Sequence, residues 1–255
     1  MEFSANLGFL WRDLPLPDAI HAAKSAGFNA VECHWPYDIP STEVSKALRA
    51  TGLKMLGLNT RIGNVESGEF GLAAIIGREV EAKATIEEAI EYAKEIGALN
   101  VHVMAGLTKE KNARETFLSN LCFACEKAKQ NDIGILIEPL NKYDAPGYFL
   151  QNTTQAIELI NDVNYQNIKL LFDCYHVQLM EGNLTNRLKE TLHLIGHIQF
   201  ASVPDRSAPG AGEVNYKNLF ATIKKMGWTQ PLGAEYIPEG DTEETLTWLK
   251  EASAV

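Results

Sequence analysis

The sequence predicts an α/β fold: one (β/α)₈ barrel of eight parallel strands inside a ring of helices. Three observations predict it. Apolar, β-rich runs alternate with amphipathic stretches along the whole chain, the pattern of strands joined by helical crossovers. The chain has 255 residues, near the typical length of one such barrel. No GxGxxG follows the first apolar run, which weakens the runner-up, a doubly wound open sheet. No linker, low-complexity stretch or repeat interrupts the pattern, so residues 1–255 are expected to form one domain.

The strands are expected at residues 3–10, 30–34, 54–59, 100–105, 134–140, 168–175, 197–202 and 232–237. After the third, Ile86, Ala89, Ile90, Ala93 and Ile96 recur at the spacing of one helix face. Leu118, Leu121, Cys122 and Cys125 repeat that spacing, as do Leu219, Phe220, Ile223 and Met226. Gly27, Gly52, Gly97, Gly134 and Gly196 fall between a helix and the next strand, where a left-handed terminus favours glycine. Ser41, Thr153 and Thr185 are expected helix N-caps. The connection over 60–77 is long and glycine-rich. It reads either as a lid or binding loop over the C-terminal face of the barrel or as an ordered surface loop.

Composition narrows the function. Hydrophobic residues make up 45%, enough for a large core. Acidic residues number 33 against 23 basic ones, a net charge of −10, which disfavours a nucleic-acid partner. A small anionic substrate stays open, because a few local cations suffice to hold one. No window is long and apolar enough to span a bilayer, and Met1-Glu2-Phe3-Ser4 lacks the start of a signal peptide. A soluble cytoplasmic protein without a membrane partner is therefore expected; a homo-oligomer is left open. Cys122 and Cys125 spell CxxC, but their helical spacing reads as thiols packed on a helix face rather than a redox or zinc pair.

The chemistry gathers at strand ends. Ile135-Leu136-Ile137 leads to Glu138, Leu170-Leu171-Phe172 to Asp173, His197-Ile198 to Gln199, and Leu232-Gly233-Ala234 to Glu235. These are consecutive strands, so three carboxylates and one amide converge if all point inward. Buried like charges repel and need either protonation or a bound cation. No lysine or arginine alternates with the acids at these ends. Oxygen donors suit one Mg²⁺ or Mn²⁺ ion. His176, three residues after Asp173, reads as a contact to substrate or metal-bound water, or as a hydrogen-bonded rim histidine. Arg206 is a candidate for a substrate carboxylate, the alternative being a surface arginine. Arg61 and Arg78 of the long loop join it in an expected cationic patch. His102 sits mid-strand, where a satisfied core histidine is the commoner role; it is carried as a further substrate contact. Glu213 is expected to cap the helix that follows it.

At these residues the sequence resembles the hydroxypyruvate isomerase family, which includes 2-oxo-tetronate isomerases, within the xylose-isomerase-like TIM barrel superfamily. The matching segments are Asn59-Thr60, Gly68-Glu69-Phe70-Gly71-Leu72-Ala73-Ala74 with Gly77-Arg78-Glu79, His102-Val103-Met104-Ala105-Gly106, Ile137-Glu138, Asp173-Cys174-Tyr175-His176, His197-Ile198-Gln199, Pro204-Asp205-Arg206, Gly212-Glu213-Val214-Asn215-Tyr216 and Glu235-Tyr236. The long-loop segment and Gln199 are the more specific; sugar epimerases of the superfamily usually carry histidine where Gln199 stands. The resemblance implies that Glu138, Asp173, Gln199 and Glu235 bind the metal. It also implies that Glu138 and Glu235 transfer protons through an enediolate, with His176 and Arg206 near the substrate. The implied reaction is an aldose–ketose isomerisation, hydroxypyruvate to tartronate semialdehyde. A 2-oxo-tetronate isomerase or a ketose 3-epimerase on the same site is the alternative. An inosose dehydratase-like lyase, a non-catalytic sugar sensor and a metal-dependent AP endonuclease are weaker rivals, the last because the chain is acidic and poor in histidine.

Overall fold

The computed structural model describes residues 1–253. Its strands are β1 (Phe3–Asn6), β2 (Ala30–Glu32), β3 (Lys54–Met55), β4 (Leu58–Asn59), β5 (Asn100–His102), β6 (Gly134–Ile137), β7 (Ile168–Asp173), β8 (Ile195–Phe200) and β9 (Leu232–Ala234). All pairings between them are parallel, in the order β3-β2-β1-β9-β8-β7-β6-β5-β4. The two ends of that order, β3 and β4, are halves of the one segment expected at 54–59. Its first half pairs with β2 and its second with β5. Backbone bonds from Leu99 N–H to Met55 and from Thr60 N–H to His102 seal the seam. The sheet therefore closes into a barrel of eight staves.

Helices α1 (Leu16–Ala26), α2 (Ser41–Thr51), α3 (Glu79–Ile96), α4 (Ala113–Lys129), α5 (Thr153–Val163), α6 (Cys174–Met180), α7 (Leu184–Thr191), α8 (Tyr216–Lys225) and α9 (Thr247–Ser253) surround it. The apolar face expected on α3 is buried in full, and so is the α8 face apart from Met226, which is half-buried. On α4, Leu121 and Cys125 are buried while Leu118 and Cys122 are partly so, and all four cysteines are free thiols. Phe3 sits edge-on to Phe200, Phe220 and Trp248, at centroid distances of 5.8, 5.3 and 5.2 Å, and locks α8 and α9 onto β1 and β8. Because Phe3 faces outward, the alternation of side chains along a strand turns Ser4 and Asn6 into the barrel.

Local punctuation is confirmed in part. Gly27, Gly52 and Gly97 end their helices in the left-handed region. Gly134 and Gly196 instead lie within β6 and β8. They are glycine for clearance: a Cβ would lie 2.2 Å from Asn100 Oδ1 at Gly134, and 2.7 Å from Leu136 and Lys169 at Gly196. The expected N-caps shift by one or two places. Ser41 and Thr153 are first helical residues, and Thr185 follows Leu184; the cap of α5 is Asn152, whose side chain accepts from Gln155 N–H. Asn215, not Glu213, caps α8, and Glu213 accepts from Gln178 instead.

The 60–77 connection is ordered against the barrel. Gly71 bridges to Ala105, and the amides of Ala73 and Ala74 donate to Met104 and Ala105. At Gly71 φ is +108°, and a Cβ would lie 2.7–2.8 Å from backbone atoms of Met104 and Gly106. Backbone atoms cannot move aside as a flexible side chain can. Gly71→Ala is expected to destabilise the protein by about 2–5 kcal/mol, the sum of strain and overpacking, read as a lower denaturation midpoint in urea. An unchanged midpoint would show that the loop shifts freely.

Candidate active site

Four neighbouring staves place the four strand-end residues side by side. Around the sheet the order is Glu235 after β9, Gln199 on β8, Asp173 on β7 and Glu138 after β6. All four are buried. One ligand-type atom from each of Glu138, Asp173, His176 and Glu235 lies within 4.8 Å of the others. Gln199 joins them: its Nε2 is 3.2 Å from Glu235 Oε1.

Unpartnered atoms show what this cluster lacks. Glu138 Oε1, Asp173 Oδ2 and Gln199 Oε1 are buried acceptors with no donor. Orientation supports this for Asp173 and Gln199. Asp173 uses Oδ1 to cap α6 through Tyr175 N–H at 2.9 Å, which leaves Oδ2 free. Gln199 Nε2 donates to Glu32 Oε2 at 2.8 Å and to Glu235. Only an amide nitrogen can donate to two carboxylates, so the amide oxygen takes the other side. Buried acceptors without a donor are costly, and three of them together on adjacent strands fit a cation.

His176 lies in the cluster in a different role. Asn141 donates to its Nδ1 from the backbone, at 3.1 Å, and from Nδ2, at 2.7 Å. Burial and the nearby Arg206 hold the ring neutral, well below the usual histidine range. With Nδ1 accepting, the ring proton sits on Nε2, which faces Asp173 Oδ2 at 3.6 Å and Glu138 Oε1 at 3.9 Å. Such a nitrogen donates; it is not a metal ligand in this state.

The two glutamates sit in opposite electrostatic environments. Burial raises Glu138 well above the usual carboxyl range, and Glu235 and Asp173 add to the effect. Burial also acts on Glu235, but Arg206 and His34 outweigh it and hold that carboxyl down at about 2. Glu235 Oε1 accepts from Asn6 at 2.6 Å and meets His34 Nε2 at 3.2 Å, while Oε2 accepts from Arg206 Nη2 at 2.5 Å. Burial raises Asp173 to about 7, with Glu235 the next cause. Arg206 is thus the cation that the strand ends themselves do not carry. Its guanidinium is clamped between Phe9 and Tyr175, 4.7 and 4.9 Å from the ring centroids, and also reaches Asp144 at 3.5 Å.

Glu138, His176 and Glu235 of the cluster line a pocket of about 310 Å³. Phe9, Trp35, Phe70, Met104 and Leu140 supply its apolar wall, and His34, Asn59, His102 and Asp144 its polar rim. The expected cationic patch does not form: of its three arginines, only Arg206 lines the pocket. Arg61 is tied to Glu88 and Asp38, and Arg78 to Glu69 and Glu81, so both charges are spent holding the 60–77 loop and α3.

Sequence reasoning missed the layer beneath. Glu32 accepts from Ser4 Oγ at 2.9 Å and pairs with His197 Nε2 at 3.0 Å while holding the Gln199 amide. Burial lowers His197, but Glu32 outweighs it and raises the ring overall. Gly233 makes the space: a Cβ there would lie 2.3 Å from Glu32 Oε1. Asn6, Glu32 and His34 had a signal, because they alternate with Ala5, Val31 and Cys33 at the period of two expected of a strand. Asn141 and Asp144 had none, since they belong to a loop.

The chain matches the family described as xylose isomerase-like TIM barrel over residues 20–252. The 2-oxo-tetronate isomerase of Cupriavidus necator is 40% identical over 253 residues, covering 98% of this chain and 97% of the relative. The hydroxypyruvate isomerase of Escherichia coli is 37% identical over 253 residues, covering 98% of each. The crystal structure of a protein described as AP endonuclease, family 2, from Brucella melitensis superposes with a TM-score of 0.95 at 36% identity, covering 98% of each chain. Matched in sequence and in fold over nearly its whole length, this chain belongs to the xylose isomerase-like TIM barrel family.

Proposed function

We propose that this chain is an isomerase of a small hydroxy-oxo acid, such as hydroxypyruvate or 2-oxo-tetronate, and that residues 1–255 work as one barrel domain. Relatives of those names, matched end to end, support the substrate class. The observation that carries the chemistry is the trio of buried, unpartnered oxygens on Glu138, Asp173 and Gln199 beside the ionised Glu235. An all-oxygen donor set fits Mg²⁺ or Mn²⁺ held by Glu138, Asp173, Gln199 and Glu235. When bound, such an ion supplies Lewis-acid polarisation of a carbonyl oxygen.

The chain's own residues move the proton. Glu138 and Glu235 stand at the two outer positions of the four-stave arc, one on each side of a substrate lying across it. Glu235, kept ionised by Arg206, takes the proton from the hydroxyl-bearing carbon; the C–H pair becomes the double bond of an enediolate, the carbonyl pair moves onto its oxygen, and the hydroxyl proton passes to that oxygen. Glu138, with a proton on its second carboxyl oxygen, delivers that proton to the neighbouring carbon, and the electron pair on the first carbon's oxygen forms the new carbonyl; the reverse reaction exchanges the roles. His176 Nε2–H donates to a substrate oxygen. The aromatic wall excludes water from the intermediate.

Arg206 reads the substrate carboxylate while it holds Glu235. Arg206→Ala is expected to lower kcat for every substrate and, in addition, to raise KM at least about tenfold more for a hydroxy-oxo acid than for a neutral ketose. Equal KM effects on both would confine Arg206 to its Glu235 contact and remove the argument for an acid.

A further inference from the structure

We infer that Phe9 sets the length of chain the site accepts. Its ring is a fixed wall between the active-site pocket and a second, polar cleft, and its removal opens the site to longer neutral sugars. The inference rests on the isomerase reading and assigns its size limit to one side chain.

Phe9 follows β1 and, among the described residues, it alone lines both spaces. On one side lies the pocket of about 310 Å³ that holds Glu138 and Glu235. On the other lies a cleft of about 440 Å³ between the segments that follow β1 and β9. The ring is half-buried, as a partition between two open spaces must be. It stands at the Glu235 end of the four-stave arc. It meets the His34 ring edge-on at 5.1 Å and lies 4.7 Å from the Arg206 guanidinium, and both of those side chains touch Glu235. An acid whose carboxylate sits on Arg206 ends at this wall. A chain with further carbons beyond that point collides with it.

The backbone that carries Phe9 is pinned on both sides of the ring. Before it, Gly8 N–H donates to Asn6 Oδ1 at 2.9 Å, and Gly8 lies so close to His34 that a Cβ would stand 2.1 Å from Nδ1. The amides of Phe9 and Leu10 donate to the Asn6 carbonyl at 3.2 and 2.9 Å. After it, Trp11 has a φ of +51°, a conformation that bulky side chains rarely adopt. Thr242 and Glu243 hold it there, accepting from its backbone N–H at 2.9 Å and from Nε1–H at 2.6 Å. Such a residue persists only where its surroundings over-determine it. Here they tie the Phe9 loop to the segment after β9, so the wall cannot swing aside while these bonds stand.

The chemistry of the cleft says what would fill it. Arg12, Asp13, Asp241 and Glu243 line it, so acids outnumber the one base. That lining offers hydrogen bonds to hydroxyl groups and repels a second anion. The chain that extends into it is therefore neutral and polyhydroxylated.

The test removes the wall. Phe9→Ala is expected to raise kcat/KM for D-fructose, a neutral six-carbon ketose, by at least about tenfold over wild type, the scale on which pocket size discriminates. Phe9→Trp, which keeps the wall, should show no gain. A loosened fold lowers rates and cannot produce a gain, so a merely structural role for Phe9 fails this readout. Should the alanine variant not fold, Phe9→Val opens the same side and is read in the same way. Calorimetry with D-sorbitol, a six-carbon polyol that does not react, asks the question without chemistry. If wild type turns over hydroxypyruvate while the folded opened variant gains neither fructose turnover nor sorbitol affinity, or if Phe9→Trp gains as much, the inference is overturned and the isomerase reading stands. If sorbitol binds more tightly to the opened variant while neither protein turns over hydroxypyruvate, the wall stands and the isomerase reading falls.

Discussion

Glu138→Gln and Glu235→Gln are each expected to lower kcat by about 10²–10⁴-fold, the usual loss when a positioned acid or base is removed. Glutamine keeps the shape and one oxygen but neither takes nor gives the proton. Stability separates the two variants. Glu138 is held in its protonated form by burial, so an amide there replaces a neutral group with a neutral group and should leave stability unchanged or slightly raised. Glu235 is the ionised partner of Arg206 and the acceptor for Asn6 and Gln199. Its amide leaves a buried guanidinium short of its nearest counter-charge, at an expected cost of about 3 kcal/mol. Denaturation midpoints beside single-turnover rates measure both. The proton route also predicts uptake of deuterium from D₂O at carbon, because a carboxylic acid exchanges with solvent. Full retention of substrate hydrogen, with near-normal turnover in either variant, would leave both glutamates without a proton to move.

Chelation of divalent ions by EDTA is expected to abolish activity, and Mg²⁺ or Mn²⁺ to restore it. A second readout needs no turnover: the ion should raise the Tm of the metal-free protein, because it binds the assembled oxygens and not the unfolded chain. The pH dependence follows from the cluster. In metal-free protein Glu138 lies well above the usual range and Asp173 at about 7, so the folded state holds protons that the unfolded chain has released. That contribution to stability is full below the ordinary carboxyl range and is lost as pH rises through about 7. The ion needs the deprotonated oxygens, so its affinity and its Tm shift should grow over the same interval. Full activity in stripped protein, or a Tm shift that shrinks as pH rises from 5 to 8, would contradict this donor set.

Much of the barrel was legible because each stave is a local pattern. A strand shows itself by its apolar run, and helices such as α3 show themselves by their period of 3.6. The register of Glu138, Asp173, Gln199 and Glu235 was also legible, since consecutive parallel strands bring their ends to one rim. The second inward layer was written in the alternation of Ser4, Asn6, Glu32 and His34. It is easily passed over because each strand shows only one or two such positions.

What the sequence determined by itself is the order of staves, the apolar faces of the helices and the oxygen-rich strand ends, all properties of neighbours along the chain. Only the tertiary structure decided the state and direction of each polar group. Arg61 and Arg78 carry the same charge as Arg206, yet nearby carboxylates bind them outside the pocket, and Arg206 alone lies against Glu235. Glu138 and Glu235 are the same residue at equivalent strand ends, yet one is pushed toward its acid form and the other held ionised. Asn141 settles which nitrogen of His176 donates, from 35 residues away, and Glu32 turns the Gln199 amide from 167 residues away. The reason is physical. Protonation, tautomer and amide direction depend on burial and on charges within a few ångströms, and in a closed barrel those neighbours come from strands far apart in the chain.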